Sequence, residues 1–267
     1  MPISSKLYVV IIASGLIAGS VSLKADSKDA ARYGRQGLEA AKKKNWPEAI
    51  ENYKKLTEAD PKDGKNYIYL GLAYRSSGNK EEAVASFTKA IELAPKNPDG
   101  YLQRGSSYLT QEKYDPAIAD TTEVLKLDPS NALAHRYRGF AYLRKQDWKN
   151  AVEDYDALLK GKHNDREPLI RRAYVLMQLK EYDRSIADYT EIIKENPKDI
   201  EAYLGRAYVY EGQNDFAKGI ADSDTVLQLD PNNEDAASRK KRLLTKQSLA
   251  TPAPGATAVP TPPAKSP

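Results

Sequence analysis

The sequence predicts an all-α protein, a solenoid of stacked two-helix hairpins closed by one further helix. Three observations carry that prediction. Pro61, Pro95, Pro129, Pro197 and Pro231 fall on one 34-residue lattice, and only the slot at His163 misses it. Within each interval the same residue types recur at the same offsets. Each interval also holds two runs of apolar residues spaced three or four apart, the mark of a helix face. A fixed period of this length signals stacked copies of one unit, none of which buries its apolar face alone. The lattice runs without insertion from Ala30 to Asn233 as six units: 30–63, 64–97, 98–131, 132–165, 166–199 and 200–233.

Residues 1–25 precede the lattice and differ from it. Lys6 leads into the apolar run Leu7–Leu23, which is softened by Ser14, Gly15, Gly19, Ser20 and Ser22. One basic residue, an apolar core and a small-residue exit are the layout of a secretory signal peptide, with a mature N-terminus expected at Val21 or Asp26. The run is also near the lower length for a bilayer span, so a membrane tether through residues 7–23 is the rival reading and a buried N-terminal helix a third. The chain has no cysteine, which excludes a lipoprotein anchor after the apolar run and any thiol chemistry.

Within the array, 64–97 is the clearest unit. Tyr67, Leu70, Gly71 and Tyr74 form one face of a first helix, and Gly78-Asn79 breaks it. Ala83, Phe87, Ala90 and Ile91 mark a second helix, ended by Pro95 because proline lacks an amide donor and restricts the residue before it. Gly71 and Ala83 are small where the two helices press together. Matching small–aromatic pairs are Gly37 with Tyr53 and Gly139 with Tyr155, whereas Gly105 and Ala207 face Thr121 and Ser223. Asp115-Pro116 reads as an N-cap followed by a first-turn proline, and Asp183 as an N-cap at the same offset. The junction Gly161–Pro168 is the least regular point. It reads either as a different turn or as a hinge in the array, with Pro168 opening the next helix and Leu169 and Leu176 replacing aromatics.

One charged pattern follows the period. Arg104, Arg138, Arg172 and Arg206 share one offset in units three to six, and Asp120, Asp154, Asp188 and Asp222 share another sixteen residues on. Units one and two hold Gln36 with Asn52 and Leu70 with Ser86, so arginine and aspartate are present or absent together. The spacing predicts an ion pair tying the two helices of each hairpin. Linking each aspartate to the next unit's arginine is the alternative, but it leaves Arg104 facing Ser86.

Beyond the lattice, residues 234–249 predict a capping helix, with Glu234-Asp235 and the basic run Arg239–Arg242 suited to the helix dipole and Ala237, Leu243 and Leu244 available for contact. Residues 250–267, rich in Pro, Ala and Thr, predict a disordered tail.

This pattern resembles the tetratricopeptide repeat, on the six units just described. The resemblance implies a right-handed superhelix whose first helices line a concave face. On that face it places Leu38, then Ile68, Leu72 and Arg75, then Leu102, Ser106 and Leu109. Arg136, Phe140 and Leu143 follow, then Ile170, Tyr174 and Met177, then Leu204, Tyr208 and Glu211. Phe140, Tyr174 and Tyr208 make an aromatic row, read either as packing between neighbouring first helices or as anchors for a ligand. The carboxylate clamp of some relatives is absent, since its places hold Gly34 and Leu38, Ile68 and Leu72, or Leu102 and Ser106.

Catalytic chemistry finds no footing. No phosphate-cradling glycine loop, zinc-ligand spacing or nucleophile elbow appears, and His135 fills an aromatic slot of the lattice as a packing residue. The formal charge of +4 is concentrated at the two ends, so it is not a nucleic-acid signature. The expectation is therefore a non-enzymatic scaffold with no metal and no cofactor. It is exported to a periplasm or the outer face of a membrane, and its groove binds a helical or extended apolar segment of an envelope protein. A membrane-anchored assembly factor is the alternative. An enzyme or carbohydrate-handling protein would need a polar, acidic pocket that these groove residues do not supply.

Overall fold

The computed structural model describes residues 28–160 and 165–250. The signal or anchor segment, the proline-rich tail and the His163 slot lie outside the described residues. Within them the chain is all helical. Six hairpins, α1 (Lys28–Lys42) with α2 (Trp46–Ala59), α3 (Gly64–Ser76) with α4 (Lys80–Leu93), α5 (Pro98–Thr110) with α6 (Tyr114–Leu127), α7 (Ala132–Arg144) with α8 (Trp148–Leu159), α9 (Arg166–Gln178) with α10 (Tyr182–Glu195) and α11 (Ile200–Gly212) with α12 (Phe216–Leu229), are followed by α13 (Glu234–Ala250). The chain divides into two compact units, the first ending at Leu158 and the second beginning at Leu159.

The turn inside each hairpin is one device used six times. Lys44, Gly78, Glu112, Gln146, Lys180 and Asn214, spaced by the period, all adopt left-handed backbone with φ between 57° and 89°. The next amide reaches back to a carbonyl of the last helical turn in every case, as in Asn79 to Tyr74, Lys113 to Tyr108 and Asp215 to Tyr210, each 2.9 Å. This is the Schellman closure, which satisfies carbonyls the helix leaves open. Only one of the six positions is glycine, so five side chains bear the steric cost of that conformation.

Between hairpins a second device repeats. Asp63, Asn97, Asn131, Asp165, Asp199 and Asn233 precede the first helices and the closing helix at one offset. Five of them accept a hydrogen bond from an amide of the first turn, for example Asn131 from Ala134 at 3.0 Å and Asn233 from Ala236 at 3.0 Å. These N-caps fix where each first helix starts. The expectation that Asp115 and Asp183 cap the second helices is corrected. Lys113 and Glu181 are the cap residues, and the two aspartates sit inside the first turn. There Asp115 pairs with Lys145 and Asp183 accepts from Gln213 Nε2 at 2.8 Å, linking each second helix to the following first helix.

In the first unit, α1 packs on α2, α3 on α4 and α5 on α6, and α2, α4 and α6 also pack on α3, α5 and α7. Glycine sets the closeness of two of these pairs. A Cβ on Gly37 would stand 2.6 Å from the Tyr53 ring, and one on Gly71 would stand 2.5 Å from Phe87. In the second unit α9 packs on α10, α11 on α12 and α12 on α13, around a core of Leu169, Ala173, Tyr189, Ile192 and Val209. Pro168 is buried in the first turn of α9, which begins at Arg166, earlier than the proline suggests. The closing helix presents Ala236, Arg239 and Leu243 inward. Leu243 is fully buried, whereas Leu244 and Ala237 are exposed, because 236, 239 and 243 share one helical face.

Candidate functional site

The recurring arginines and aspartates meet within their own hairpins. Arg104 donates through Nε and Nη2 to both oxygens of Asp120 at 2.9 and 2.7 Å, and Arg206 does the same to Asp222 at 2.9 and 2.8 Å. Arg138–Asp154 and Arg172–Asp188 share this two-pronged geometry. In Arg104, Arg138 and Arg206 the remaining nitrogen turns to the preceding hairpin, where Thr88 receives Arg104 at 3.0 Å, Thr122 receives Arg138 at 3.3 Å and Thr190 receives Arg206 at 2.9 Å. One guanidinium therefore ties three helices. The aspartates are buried, and burial pushes the Asp120 carboxyl above its usual range even with Arg104 chelating it. The same bond raises the Arg104 pKa, so the pair is coupled rather than idle. Buried ion pairs of this geometry repay little beyond the cost of taking both charges out of water, so they specify how the helices register more than they add net stability. His135 is not a plain packing ring. Its Nδ1 lies 2.8 Å from Asp154 and its Nε2 lies 3.1 Å from the Pro129 carbonyl, so it adds a second contact to the same buried carboxylate.

The predicted groove residues sort by accessibility. Ile68, Leu102, Leu109, Leu143, Ile170 and Leu204 are buried, and Ser106 with them. They fill the seams between helices and present almost no surface to a ligand, which narrows the sequence expectation. Leu38, Leu72, Arg75, Arg136 and Phe140 in the first unit, and Tyr174, Met177 and Glu211 in the second, are half-buried, while Tyr208 is 41% exposed. Arg75 lies over the Phe87 ring at 5.7 Å and donates to the Gln103 carbonyl at 3.5 Å, and burial lowers its pKa. Arg144 stands 5.9 Å from the Phe140 ring. Burial, with Tyr208 nearby, raises the Tyr174 phenol above its usual range.

In the second unit the accessible residues frame a cleft of about 610 Å³ lined by Met177, Lys180, Tyr182, Tyr208, Glu211, Arg242 and Lys246 among others. Glu211 is its electrostatic centre. Arg242 reaches it through Nε and Nη2, each at 2.9 Å, Lys246 reaches it at 2.9 Å and Arg239 at 3.4 Å. The hydrogen bond from Arg242 leads in pushing the Glu211 carboxyl down to about 2. Arg239 also covers the Tyr208 ring at 5.0 Å. Sequence reasoning placed Glu211 on the groove and the basic run on a cap. It missed that they meet, since no period links an array residue to a helix outside the array.

These geometries coincide with matches to known proteins. One tetratricopeptide-repeat model matches residues 71–112, and a second matches 102–166 and 170–234, together more than half of the chain. This chain belongs to the tetratricopeptide-repeat family. Solved structures agree on the fold. YrrB, described as a tetratricopeptide-repeat protein with an unusual peptide-binding site, superposes with a TM-score of 0.67 at 21% identity, over 72% of this chain and 100% of its own. A tetratricopeptide-repeat protein from Parabacteroides merdae gives 0.64 at 23% identity, over 83% and 88%. Pseudomonas aeruginosa pilF gives 0.62 at 17% identity, over 80% and 97%. At these identities the likeness is one of fold. No curated protein matches the chain in sequence. Tetratricopeptide repeats suggest an interaction scaffold, and among the described residues no cluster of His, Asp or Glu is arranged to hold a metal. Also among the described residues, no helix is long and apolar enough to cross a membrane.

Proposed function

We propose that this tetratricopeptide-repeat chain is an exported scaffold that holds a helical or extended segment of an envelope protein against its first helices. The observation that carries the reading is Tyr208, a large ring left 41% exposed in the wall of a cleft it shares with Met177, with Tyr174 near enough to Tyr208 to feel its charge. Aromatic rings in concavities are common carriers of binding energy. YrrB shares the fold and has a peptide-binding site. Here the same use rests on this chain's own rings. Export rests on the signal-like layout of residues 1–25 and places the partner in the envelope. Retention of residues 7–23 as a tether would make the same scaffold a membrane-anchored assembly factor, and mass-spectrometric detection of a mature N-terminus at Val21 or Asp26 would exclude it.

A photo-crosslinker at Tyr174, activated in the native envelope, tests the binding role. Capture of one discrete partner, lost in a Tyr208→Asp variant that retains its helicity, is the expected result. Capture of nothing, or of this chain alone, would send the rings back to packing and refute the scaffold reading at this face.

A further inference from the structure

We infer that the cleft at α9, α11 and α13 binds a segment carrying an acidic side chain beside an apolar one, and that Glu211 is the internal carboxylate with which the segment competes. The inference deepens the proposed scaffold role and rests on it. Its ground is a charge imbalance at a built cavity. Three cations, Arg239, Arg242 and Lys246, converge on one carboxylate, and Lys180 lines the same cleft. Asp235 is the other acid acting on Arg239, while Asp183 is occupied by Gln213. Arg239 is 7% exposed, and its Nε is buried without a hydrogen-bond acceptor, so its charge is incompletely met.

Arg242 and Lys246 are half exposed on their solvent side and so remain open to a second carboxylate. Arginine's fork suits such a group in two-pronged fashion. Met177, Tyr182 and Tyr208 supply apolar wall around that charge. A polyanion fits less well, because Glu211 would repel its additional charges. Residues 251–267 contain no Asp or Glu, so they offer no acidic side chain for this role. Arg239, Arg242 and Lys246 come from the closing helix and Lys180 from the turn after α9, which distinguishes the site from a clamp built on first helices.

The test uses a fluorescein-labelled, end-blocked hexapeptide, Gly-Glu-Phe-Glu-Phe-Gly, titrated against the full chain by anisotropy at low salt. Versions with Gln or Lys in place of Glu serve as comparators. The acidic peptide should bind about tenfold tighter than the Gln version, and the Lys version more weakly still. Arg242→Ala with Lys246→Ala should erase the difference. Glu211→Gln should raise affinity for the acidic peptide about tenfold by removing the competitor. Circular dichroism reports whether α13 stays folded, and a Lys180→Gln variant, outside the Glu211 cluster, should lower acidic-peptide affinity without loosening α13. Equal binding of the acidic and Gln peptides, or no gain in the Glu211→Gln variant with helicity intact, would overturn the inference. So would acidic-peptide binding that appears only after removal of residues 251–267, which would make that segment the occupant. If no peptide binds, the inference falls, while capture from Tyr174 still decides the scaffold role on its own.

Discussion

Repeats one and two differ from repeats three to six in how their two helices are held. In the first two, a ring presses on a glycine so closely that a Cβ on Gly37 would stand 2.6 Å from Tyr53 and one on Gly71 2.5 Å from Phe87, whereas the matching pair in repeat four, Gly139 with Tyr155, leaves 3.4 Å. The polar residue at the aspartate offset turns back to its own helix. Asn52 donates to the Glu48 carbonyl at 2.9 Å and Ser86 to the Glu82 carbonyl at 2.8 Å. In the last four, a buried aspartate receives an arginine from the partner helix. Repeats three and six go furthest, since Thr121 and Ser223 replace the ring and bond to their own helix at 2.7 and 2.9 Å. One backbone hairpin thus has two interlocks, an apolar one set by contact distance and a polar one set by hydrogen-bond geometry. The first tolerates little added volume, and the second tolerates little loss of charge balance.

That contrast can be broken most severely at the polar interlock. Arg104→Leu should cost about 3–5 kcal/mol in urea denaturation followed by circular dichroism, because it strands Asp120 in the interior. Gln36→Leu, at the same offset in repeat one but exposed, should cost under about 0.5 kcal/mol. The apolar interlock gives a smaller effect. Gly71→Ala puts a Cβ 2.5 Å from Phe87 and should cost about 1–3 kcal/mol. Gly105→Ala meets Asp120 and Thr121 only at 3.3 and 3.4 Å, so helix propensity worth about 1 kcal/mol should leave it near neutral. Equal losses at the two glycines would show that ring contact is not what separates the repeats.

The second unit adds a titratable link. The Glu211 carboxyl is depressed from 4.5 to about 2, so its stabilisation is complete above pH 4.5 and is lost as pH falls toward 2. Glu211→Gln should lower stability at pH 7 by about 1 kcal/mol, since half-exposed Arg242 and Lys246 are screened by water. Its denaturation curve should meet that of the parent near pH 2. The smallest effect belongs to the turns. Gln146→Gly should add about 0.5 kcal/mol by relieving a left-handed side chain, whereas Gly78→Ala should remove about 1 kcal/mol, both read from thermal melts.

Much of this was legible in the sequence because periodicity averages over six copies. The hairpins, their turns and the sixteen-residue arginine–aspartate spacing all repeat, so a single misleading residue cannot hide them. The N-cap lattice from Asp63 to Asn233 is equally periodic, but it serves the first helices, whereas Asp115 beside Pro116 imitates a cap on a second helix without being one. Accessibility was harder to read. Leu102 and Leu72 share a helix-face pattern, yet one is buried and the other half-buried, because the seam between helices depends on how neighbours pack. The Glu211 cluster had no sequence signal at all, since it joins residues 28 to 35 positions apart across a boundary the repeat does not span.

The most direct measurement is a double-mutant cycle on Arg138 and Asp154 in urea, with Arg138→Leu, Asp154→Leu and the double variant compared. The account predicts that the double variant is more stable than Arg138→Leu alone, because removing both partners leaves no stranded carboxylate and only His135 to rehydrate. A double variant that loses the sum of the two single losses would contradict the claim that these pairs specify the hairpin rather than hold it up.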